Sequence, residues 1–122
     1  MAVTIDATVG GASANSYVTL AEAETYFEGR LNITDWTGAT TDEKNRALVM
    51  AARRLDQEVW TSEKASAAQA LKWPRWDAED EDGHSISSDT IPEAIKDAQC
   101  ELALAMLDSD LTTDTGLEGF EE

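Results

Sequence analysis

The 122-residue sequence contains one cysteine, one histidine and two prolines, and these scarcities exclude several kinds of site. A single thiol, Cys100, cannot form an internal disulfide, and its apolar surroundings indicate a core residue rather than a reactive group. A single histidine excludes a metal site built from several imidazoles. No glycine-rich phosphate loop, long apolar run or signal-peptide pattern occurs, so we expect a soluble protein that is not exported.

The one histidine, His84, lies in an acidic loop that lacks a nucleophile motif, which favours a solvated side chain over a catalytic base. Residues 80–83 resemble part of a calcium loop. In that register, however, Ala78 occupies the first ligand position and Asp89 replaces the final glutamate. Pro74 also breaks the entering helix. We therefore predict no enzymatic activity, with no catalytic residue, no cofactor and no metal site.

Basic residues are few: 9 Lys and Arg stand against 25 Asp and Glu, for a net charge of −16. Such a charge repels a phosphate backbone unless the bases gather on one face. Four bases do fall on one predicted helix: Lys44, Arg46, Arg53 and Arg54. They could bind nucleic acid, with Trp73, Arg75 and Trp76 as stacking residues, or pair with acids of the same or a neighbouring chain. We favour pairing, because these aromatic residues sit beside the acidic loop, away from the bases.

Two capping boxes predict helix starts, one from Thr19 and Glu22 and one from Thr40 and Glu43. Apolar residues at helical spacing then predict helices over about 20–30 and 42–60. The first stripe holds Leu20, Ala23, Phe27 and Leu31, and the second holds Ala47, Leu48, Ala51, Leu55 and Val59. Between them, the size of Trp36 indicates a lid on the core.

A third and longer helix is predicted from about 91 to 110. Thr90 and Glu93 have capping-box spacing, and Pro92 suits a first helical turn. One apolar stripe holds Ile91, Ile95, Ala98, Leu102 and Ala105, and a second holds Cys100, Ala103, Leu104, Leu107 and Leu111. A helix apolar over most of its girth needs cover on more than one side. We therefore expect Leu104 and Leu107 to contact another copy of the chain or another part of the arm system.

The remaining segments predict arms and loops. Residues 1–18, with a short strand at about 3–5, are too polar and glycine-rich for a core element, and are either loosely ordered or laid on a neighbour. Residues 67–71 could add a helical turn. We expect Trp73 to be buried against the long helix, and Arg75 to meet acids of the loop or of another copy.

The acidic tail, residues 112–122, carries two possible anchors, Leu117 and Phe120. We expect it either to order on a partner, with Phe120 in a pocket of the adjacent protein, or to remain a disordered acidic end. The fold class is mainly α: a small bundle of three to four helices with extended N- and C-terminal arms and an irregular loop around residues 72–90. The chain is predicted to divide into an N-terminal arm (1–18), a helical domain (19–111) and an acidic C-terminal tail (112–122).

Three segments carry a family resemblance: ANSYVTLAEAETYF at 14–27, QALKWPR at 69–75, and the stretch from the Asp-Gly pair at 82–83 through IPEAIKDA at 91–98. With the long helix they span residues 14 to about 107. The sequence resembles a phage family that often carries the label DnaT-like single-stranded DNA-binding protein. It also resembles the head–tail connector, or adaptor, proteins of tailed phages.

The adaptor resemblance implies a helical connector domain over 19–111 and a ring, typically of about twelve copies, beneath the portal. Its implied partners are other copies, the portal protein and a tail or second neck protein. Packaged double-stranded DNA passes through the lumen without specific recognition, and no membrane is involved. The implied location is the virion neck, assembled in the host cytoplasm. The predicted interface comprises Arg53, Arg54, Arg75, Leu104, Leu107, Leu117 and Phe120. The alternative is a single-stranded DNA-binding accessory protein.

Overall fold

The computed structural model describes residues 3–58, 60, 63–76, 78–80 and 82–108. This part of the chain holds four α-helices and four short β-strands. In order they are α1 (Leu20–Glu28), α2 (Thr34–Thr37), α3 (Thr41–Leu55), β1 (Glu63–Lys64), β2 (Arg75–Trp76), β3 (Ala78–Glu79), β4 (Ser85–Ile86) and α4 (Glu93–Leu107). The predicted helical class is therefore confirmed in part, because short strand pairs accompany the helices. Among the described residues, no helix has the length and hydropathy needed to span a membrane.

The two strand pairs organise the stretch that the sequence indicated as an irregular loop. β1 and β2 pair antiparallel, with Glu63 opposite Trp76. β3 and β4 form an antiparallel hairpin, in which the Asp80 N–H donates to the His84 carbonyl at 2.9 Å. Gly83 supplies the positive φ of 83° in its turn. Glu79, Asp80 and Asp82 are thus carried on this hairpin.

Both capping boxes are confirmed. The Glu22 N–H donates to the Thr19 hydroxyl at 3.1 Å, and the Thr19 N–H donates to the Glu22 carboxylate at 2.8 Å. Thr40 and Glu43 repeat the arrangement at the start of α3, at 3.1 and 2.9 Å. Each box satisfies two helix-end N–H groups with side chains only three residues apart, so its sequence signal is local.

The predicted ends of α1 and α3 were wrong. α1 ends at Glu28, which leaves Leu31 81% exposed rather than on the core stripe. α3 ends at Leu55, because the carboxylate of Asp56 is engaged outside the helix. It accepts hydrogen bonds from the Tyr17 hydroxyl and, at 3.1 Å, from the Lys72 N–H. The chain then tightens into turns instead of continuing as a helix.

The capping-box spacing of Thr90 and Glu93, which left the cap residue of α4 open, does not produce a capping box. Pro92 stands at the N-cap position with extended backbone, and no side chain caps the helix. Thr90 lies too early to reach the first turn, and its hydroxyl donates to Asp89 instead, at 3.1 Å. α4 therefore begins two residues after the predicted start, and it ends at Leu107 rather than near 110.

Residues 67–71 form turns rather than a helical turn. The cause is Gln69, whose buried side chain forms hydrogen bonds with the backbone groups of neighbouring residues. It accepts from the Ser66 N–H at 2.9 Å and donates to the carbonyls of Leu71 and Pro74, both at 2.9 Å. A side chain bonded to its neighbours' backbone in this way competes with helix formation.

Two apolar clusters form the core. The first joins α1, α2, α3 and the C-terminal half of α4, and includes Trp36, which is 1% exposed and lies 4.4 Å from the Phe27 ring. The lid prediction for Trp36 is confirmed. The second cluster lies at the opposite end of α4 and contains Tyr17, Ala52, Leu55, Trp73, Ala78, Ile91 and Ile95.

The N-terminal arm belongs to this core, so its interpretation as a segment too polar for the core was wrong. Val3 bonds with α3 through both backbone groups: its N–H donates to Asp42 at 3.0 Å and its carbonyl accepts from Asn45 at 3.1 Å. Tyr17 and Val18 are 3% and 2% exposed. No strand forms at 3–5, because side chains of α3 supply these bonds.

A buried glutamine fixes the arm to both long helices. Gln99 is 0% exposed, accepts from the Tyr17 N–H at 2.8 Å, and donates to the Leu48 carbonyl at 2.8 Å and the Ser16 hydroxyl at 2.7 Å. Buried polar atoms require such partners. All polar atoms of this side chain are thereby used, and the arm, α3 and α4 meet at one point.

Candidate interaction surface

The basic residues of α3 are mostly neutralised by acids of the same chain. Lys44 Nζ lies 3.0 Å from Glu24 on α1, and Arg54 pairs with Glu58 at 3.0 Å. Arg46 pairs with Asp42 one turn earlier. The predicted pairing of these bases with protein acids is confirmed for Lys44, Arg46 and Arg54.

Lys44 also lies over the ring of Trp36, 5.2 Å from its centroid. Glu24, its partner, accepts from the Trp36 indole N–H at 3.1 Å. The hydrogen bonds from Lys44 and Trp36 lower the pKa of Glu24. Lys44 therefore packs over the core through Trp36 and Glu24, and its ammonium group is not available to a phosphate backbone.

Arg53 is exposed, as Arg46 and Arg54 are, but it differs from the other three bases in having no ion-pair partner within the described residues. Arg46, Met50 and Arg53 lie four and three residues apart, so they share one face of α3. Met50 is 41% exposed. This outer face of α3, defined by Arg46, Met50, Arg53 and Arg54, thus presents an apolar side chain between bases. The bases were evident from the sequence, whereas the exposure of Met50 was not predicted.

A groove of about 380 Å³ adjoins this outer face where α4 ends. Its lining residues are Asp35, Gly38, Ala39, Glu43, Arg46, Ala47, Met50, Met106 and Leu107. We call it the α3–α4 groove. Leu107 is half-buried here, packed against the first core cluster. Its predicted contact with another copy stays a prediction.

Leu104 does not lie on an outward stripe. It is 8% exposed and belongs to the first core cluster of its own chain, together with Cys100 and Ala103. The two-stripe interpretation of α4 was wrong for Leu104, because α1, α2 and α3 of the same chain cover this side of the helix. Leu104 therefore exposes little surface for the predicted interface.

Trp73 is buried as predicted, at 8% exposure, in the cluster that contains Ile91 and Ile95 of α4. Its ring meets Trp60 edge to face, with centroids 5.5 Å apart, and its peptide bond to Pro74 is cis. Arg75 is 6% exposed and donates to the carbonyls of Lys72 and Trp60 at 3.0 and 3.5 Å. Arg75 is thus packed inside its own chain, with little surface left for a second copy.

The tryptophans do not form a stacking platform. Trp36 and Trp73 are buried, Trp60 is half-buried, and Trp76 is 52% exposed. Trp76 stands on β2, next to the acidic hairpin. A single-strand groove needs exposed aromatic faces interleaved with exposed bases. Trp76 is exposed, but Arg75 beside it is buried, and the exposed bases lie on α3.

A further ion pair joins α1 to α4. Arg30 Nε lies 2.8 Å from Glu101, whose carboxylate also accepts from the Tyr26 hydroxyl. These hydrogen bonds, the one from Arg30 first, lower the pKa of Glu101. The same contact raises the pKa of Tyr26 to about 12.

Acid should weaken this contact. The pKa of Glu101 is lower in the folded chain than in the unfolded one, so its stabilisation is complete above the unfolded value, about 4.3, and is lost as pH falls through the folded value. Glu101→Gln should cost about 0.2–1 kcal/mol near neutral pH, the range of partly exposed pairs. It should also flatten the pH dependence of the unfolding free energy below about pH 5, measured by urea titration. Glu28→Gln, an exposed glutamate on α1, is the matched control. An unchanged acid slope in Glu101→Gln would contradict this account.

The thiol is buried, and the described acidic side chains of the hairpin are exposed. Cys100 is 2% exposed, and burial raises its pKa to about 12, which keeps it as a thiol. Asp80, Asp82 and His84 have ligand atoms within 4.8 Å of one another, but all three side chains are exposed. Such acidic clusters are common on protein surfaces without an ion. Leu117 and Phe120 lie outside the described residues.

Comparison with known proteins defines the family. The profile described as "Putative DnaT-like ssDNA binding protein" matches residues 1–119. The chain belongs to this family. No curated protein and no solved structure matches the chain.

The family's description names single-stranded DNA and no part of a phage neck. The DnaT-like part of the resemblance is therefore confirmed. The adaptor part, with its ring, portal and tail partners, stays a prediction.

Proposed function

We propose that this DnaT-like family member is a structural subunit that acts through protein contacts, as a head–tail adaptor in the neck of a tailed phage. The observation that supports the proposal is how the chain uses its bases. Lys44, Arg46 and Arg54 of α3 pair with acids of the same chain, and Arg75 is buried. A protein that binds DNA by charge keeps such groups free to displace counterions.

The charge balance supports the same proposal. With a net charge of −16, the subunit repels a phosphate backbone over most of its surface. Repulsion is unfavourable for a DNA-binding protein and favourable for the wall of a channel through which DNA slides. In the proposed role, packaged double-stranded DNA passes through the lumen without specific recognition.

The sequence resemblance provides the specific assignment. Subunits form a ring of about twelve copies beneath the portal, join it to the tail or a second neck protein, and help retain the packaged DNA. The subunit is assembled in the host cytoplasm and resides in the virion neck. The exposed outer face of α3 and the half-buried Leu107 supply surface for such contacts. The role requires no enzymatic activity.

The second candidate is single-stranded DNA binding, which the family's description favours. In this chain the candidate residues are Arg53, which is exposed without an ion-pair partner in the described residues, and Trp76, which is 52% exposed. Base stacking on one aromatic face is worth about 1–3 kcal/mol, which alone corresponds to weak binding. This candidate therefore needs bases that the ion pairs described above would have to release.

Assembly state and DNA binding, measured side by side, test the two candidates. We expect mass photometry to show closed rings when the subunit is mixed with the portal protein of the same phage. Fluorescence anisotropy should detect no binding of a labelled oligothymidine at micromolar protein and about 150 mM salt. A subunit that remains monomeric with the portal and binds the oligonucleotide would replace the adaptor by the second candidate.

Charge reversal of Arg53 and Arg54 sharpens the test. Arg53→Glu with Arg54→Glu should weaken ring formation or portal docking and leave oligonucleotide binding undetected. Ala21→Glu with Leu31→Glu adds acidic charge at two exposed positions away from α3 and is the control. If the α3 variant assembles normally, the outer face is not part of the interface. If it loses an oligonucleotide affinity that the natural chain has, the second candidate is favoured.

A further inference from the structure

Arg53 is an exception among the bases of this chain. The chain has 9 lysines and arginines, and all except Arg53 have an ion-pair or hydrogen-bond partner among the described residues of the same subunit. Met50, three residues before Arg53 on the same helix face, is 41% exposed. Leu48 and Ala51, on the other side of α3, are buried in the core. The outer face of α3 thus carries an unpaired cation beside an apolar side chain.

A second groove, of about 360 Å³, lies between α1 and the first half of α4. We call it the α1–α4 groove. Its apolar lining includes Val18, Tyr26 and Cys100, and its α4 wall carries Glu93 and Asp97. Within the described residues, these two carboxylates have no ion-pair or hydrogen-bond partner, and they lie one helical turn apart. The groove thus has unpaired acids beside an apolar floor.

The electrostatic field in the α1–α4 groove favours a cation. Burial is the first cause of the raised pKa of Cys100, and nearby carboxylates are the next: Asp97, Glu101, Glu93 and Glu22. Glu22 is paired with Lys96, and Glu101 is paired with Arg30. The charges of Glu93 and Asp97 therefore remain uncompensated, and a cation placed beside them is stabilised.

We propose that the outer face of α3 of one subunit docks in the α1–α4 groove of the next, with Arg53 beside Asp97 and Met50 on the apolar floor at Cys100. On each helix the charged and the apolar residue are three positions apart, 50 and 53 on α3 and 97 and 100 on α4. Matching charge to charge places the two helices antiparallel. The flexible thioether of Met50 suits an irregular apolar floor. The inference rests on the proposed ring, for which it names the contact between neighbours.

One subunit can use both surfaces at once, because they share no residue. The α3–α4 groove, in contrast, is lined by Arg46 and Met50 of the outer face itself. α3 packs on α4 through Leu48, whose carbonyl accepts from Gln99, whereas the α1–α4 groove opens on another side of α4. A contact between two different surfaces is head-to-tail, and it generates a ring if the rotation closes.

Charge reversal on either surface tests the contact. Arg53→Glu brings acids together, and Asp97→Arg brings bases together. Each variant alone should lower the association constant of the subunits by about tenfold or more, measured by sedimentation velocity with and without the portal protein. An equimolar mixture of the two variants should recover association, because contacts between unlike subunits then join opposite charges.

Two controls accompany this test. Ala21→Glu adds an acid at the exposed rim of the same groove, where it favours a cation, so it should leave association intact. Urea unfolding should give all variants the stability of the natural chain, since Arg53 and Asp97 lie outside both core clusters.

The outcomes separate this inference from the adaptor role. Recovery in the mixture, with loss in each variant alone, supports the head-to-tail contact. Rings formed by either variant alone, or no recovery in the mixture, would overturn the contact and leave the adaptor role standing. A natural chain that fails to associate, with or without the portal, would overturn both.

Discussion

Trp73→Ala should lower the free energy of unfolding by about 3–5 kcal/mol, the usual cost of removing a buried aromatic side chain. Trp73 is 8% exposed and joins Trp60 to the end of α4 that carries Ile91 and Ile95. Its indole N–H has no hydrogen-bond partner in the described structure, so the loss is one of packing. Trp73→Phe should therefore recover part of the stability.

The matched control is Trp76→Ala, three residues away and 52% exposed. It should change the free energy of unfolding by less than about 0.5 kcal/mol, as expected for surface positions. Urea unfolding followed by circular dichroism measures all three variants. Equal losses at Trp73 and Trp76 would show that the second core cluster is not organised around Trp73.

The second large effect is expected at Gln99. Gln99→Met keeps the side-chain length but leaves the Tyr17 N–H and the Leu48 carbonyl buried without their partners. Each such group costs about 1–3 kcal/mol, so the unfolding free energy should fall by about 2–6 kcal/mol. The arm should also become more accessible, with faster amide exchange at Tyr17 and Val18.

Gln57→Met is the control for this substitution, because Gln57 is exposed just after α3. It should leave both stability and exchange unchanged. A Gln99→Met variant as stable as the natural chain would mean that the arm finds other partners. In that case the arm would not depend on the buried glutamine.

Local signals in the sequence were sufficient for helix starts and for the largest core residues. The boxes at Thr19 and Thr40 depend on residues three apart, and the size of Trp36 and Trp73 predicts burial whatever surrounds them. The structure confirms all four. The predicted start of α4 was wrong because Pro92 itself takes the N-cap position, so the first turn of the helix lies beyond the reach of the Thr90 side chain.

Features set by distant partners could not be predicted. α3 ends at Leu55 because Asp56 bonds to Tyr17, 39 residues earlier. Leu104 is buried because three helices surround α4, which no periodicity within α4 reveals. For the interaction surface, the sequence identified Arg53 and Arg54, but it did not reveal that Met50 lies exposed between the bases.

The bond between Tyr17 and Gln99 links residues 82 positions apart, so it has consequences for synthesis of the chain. The arm can contact α3 as soon as both have left the ribosome, whereas Gln99, the buried partner of the Tyr17 N–H, is absent until α4 has been made. Contacts of this sequence separation form late and slow the search for the native state. A growing chain thus leaves the arm around Tyr17 accessible to chaperones and proteases until α4 has left the ribosome. We expect truncated products to be degraded before they can join an assembly.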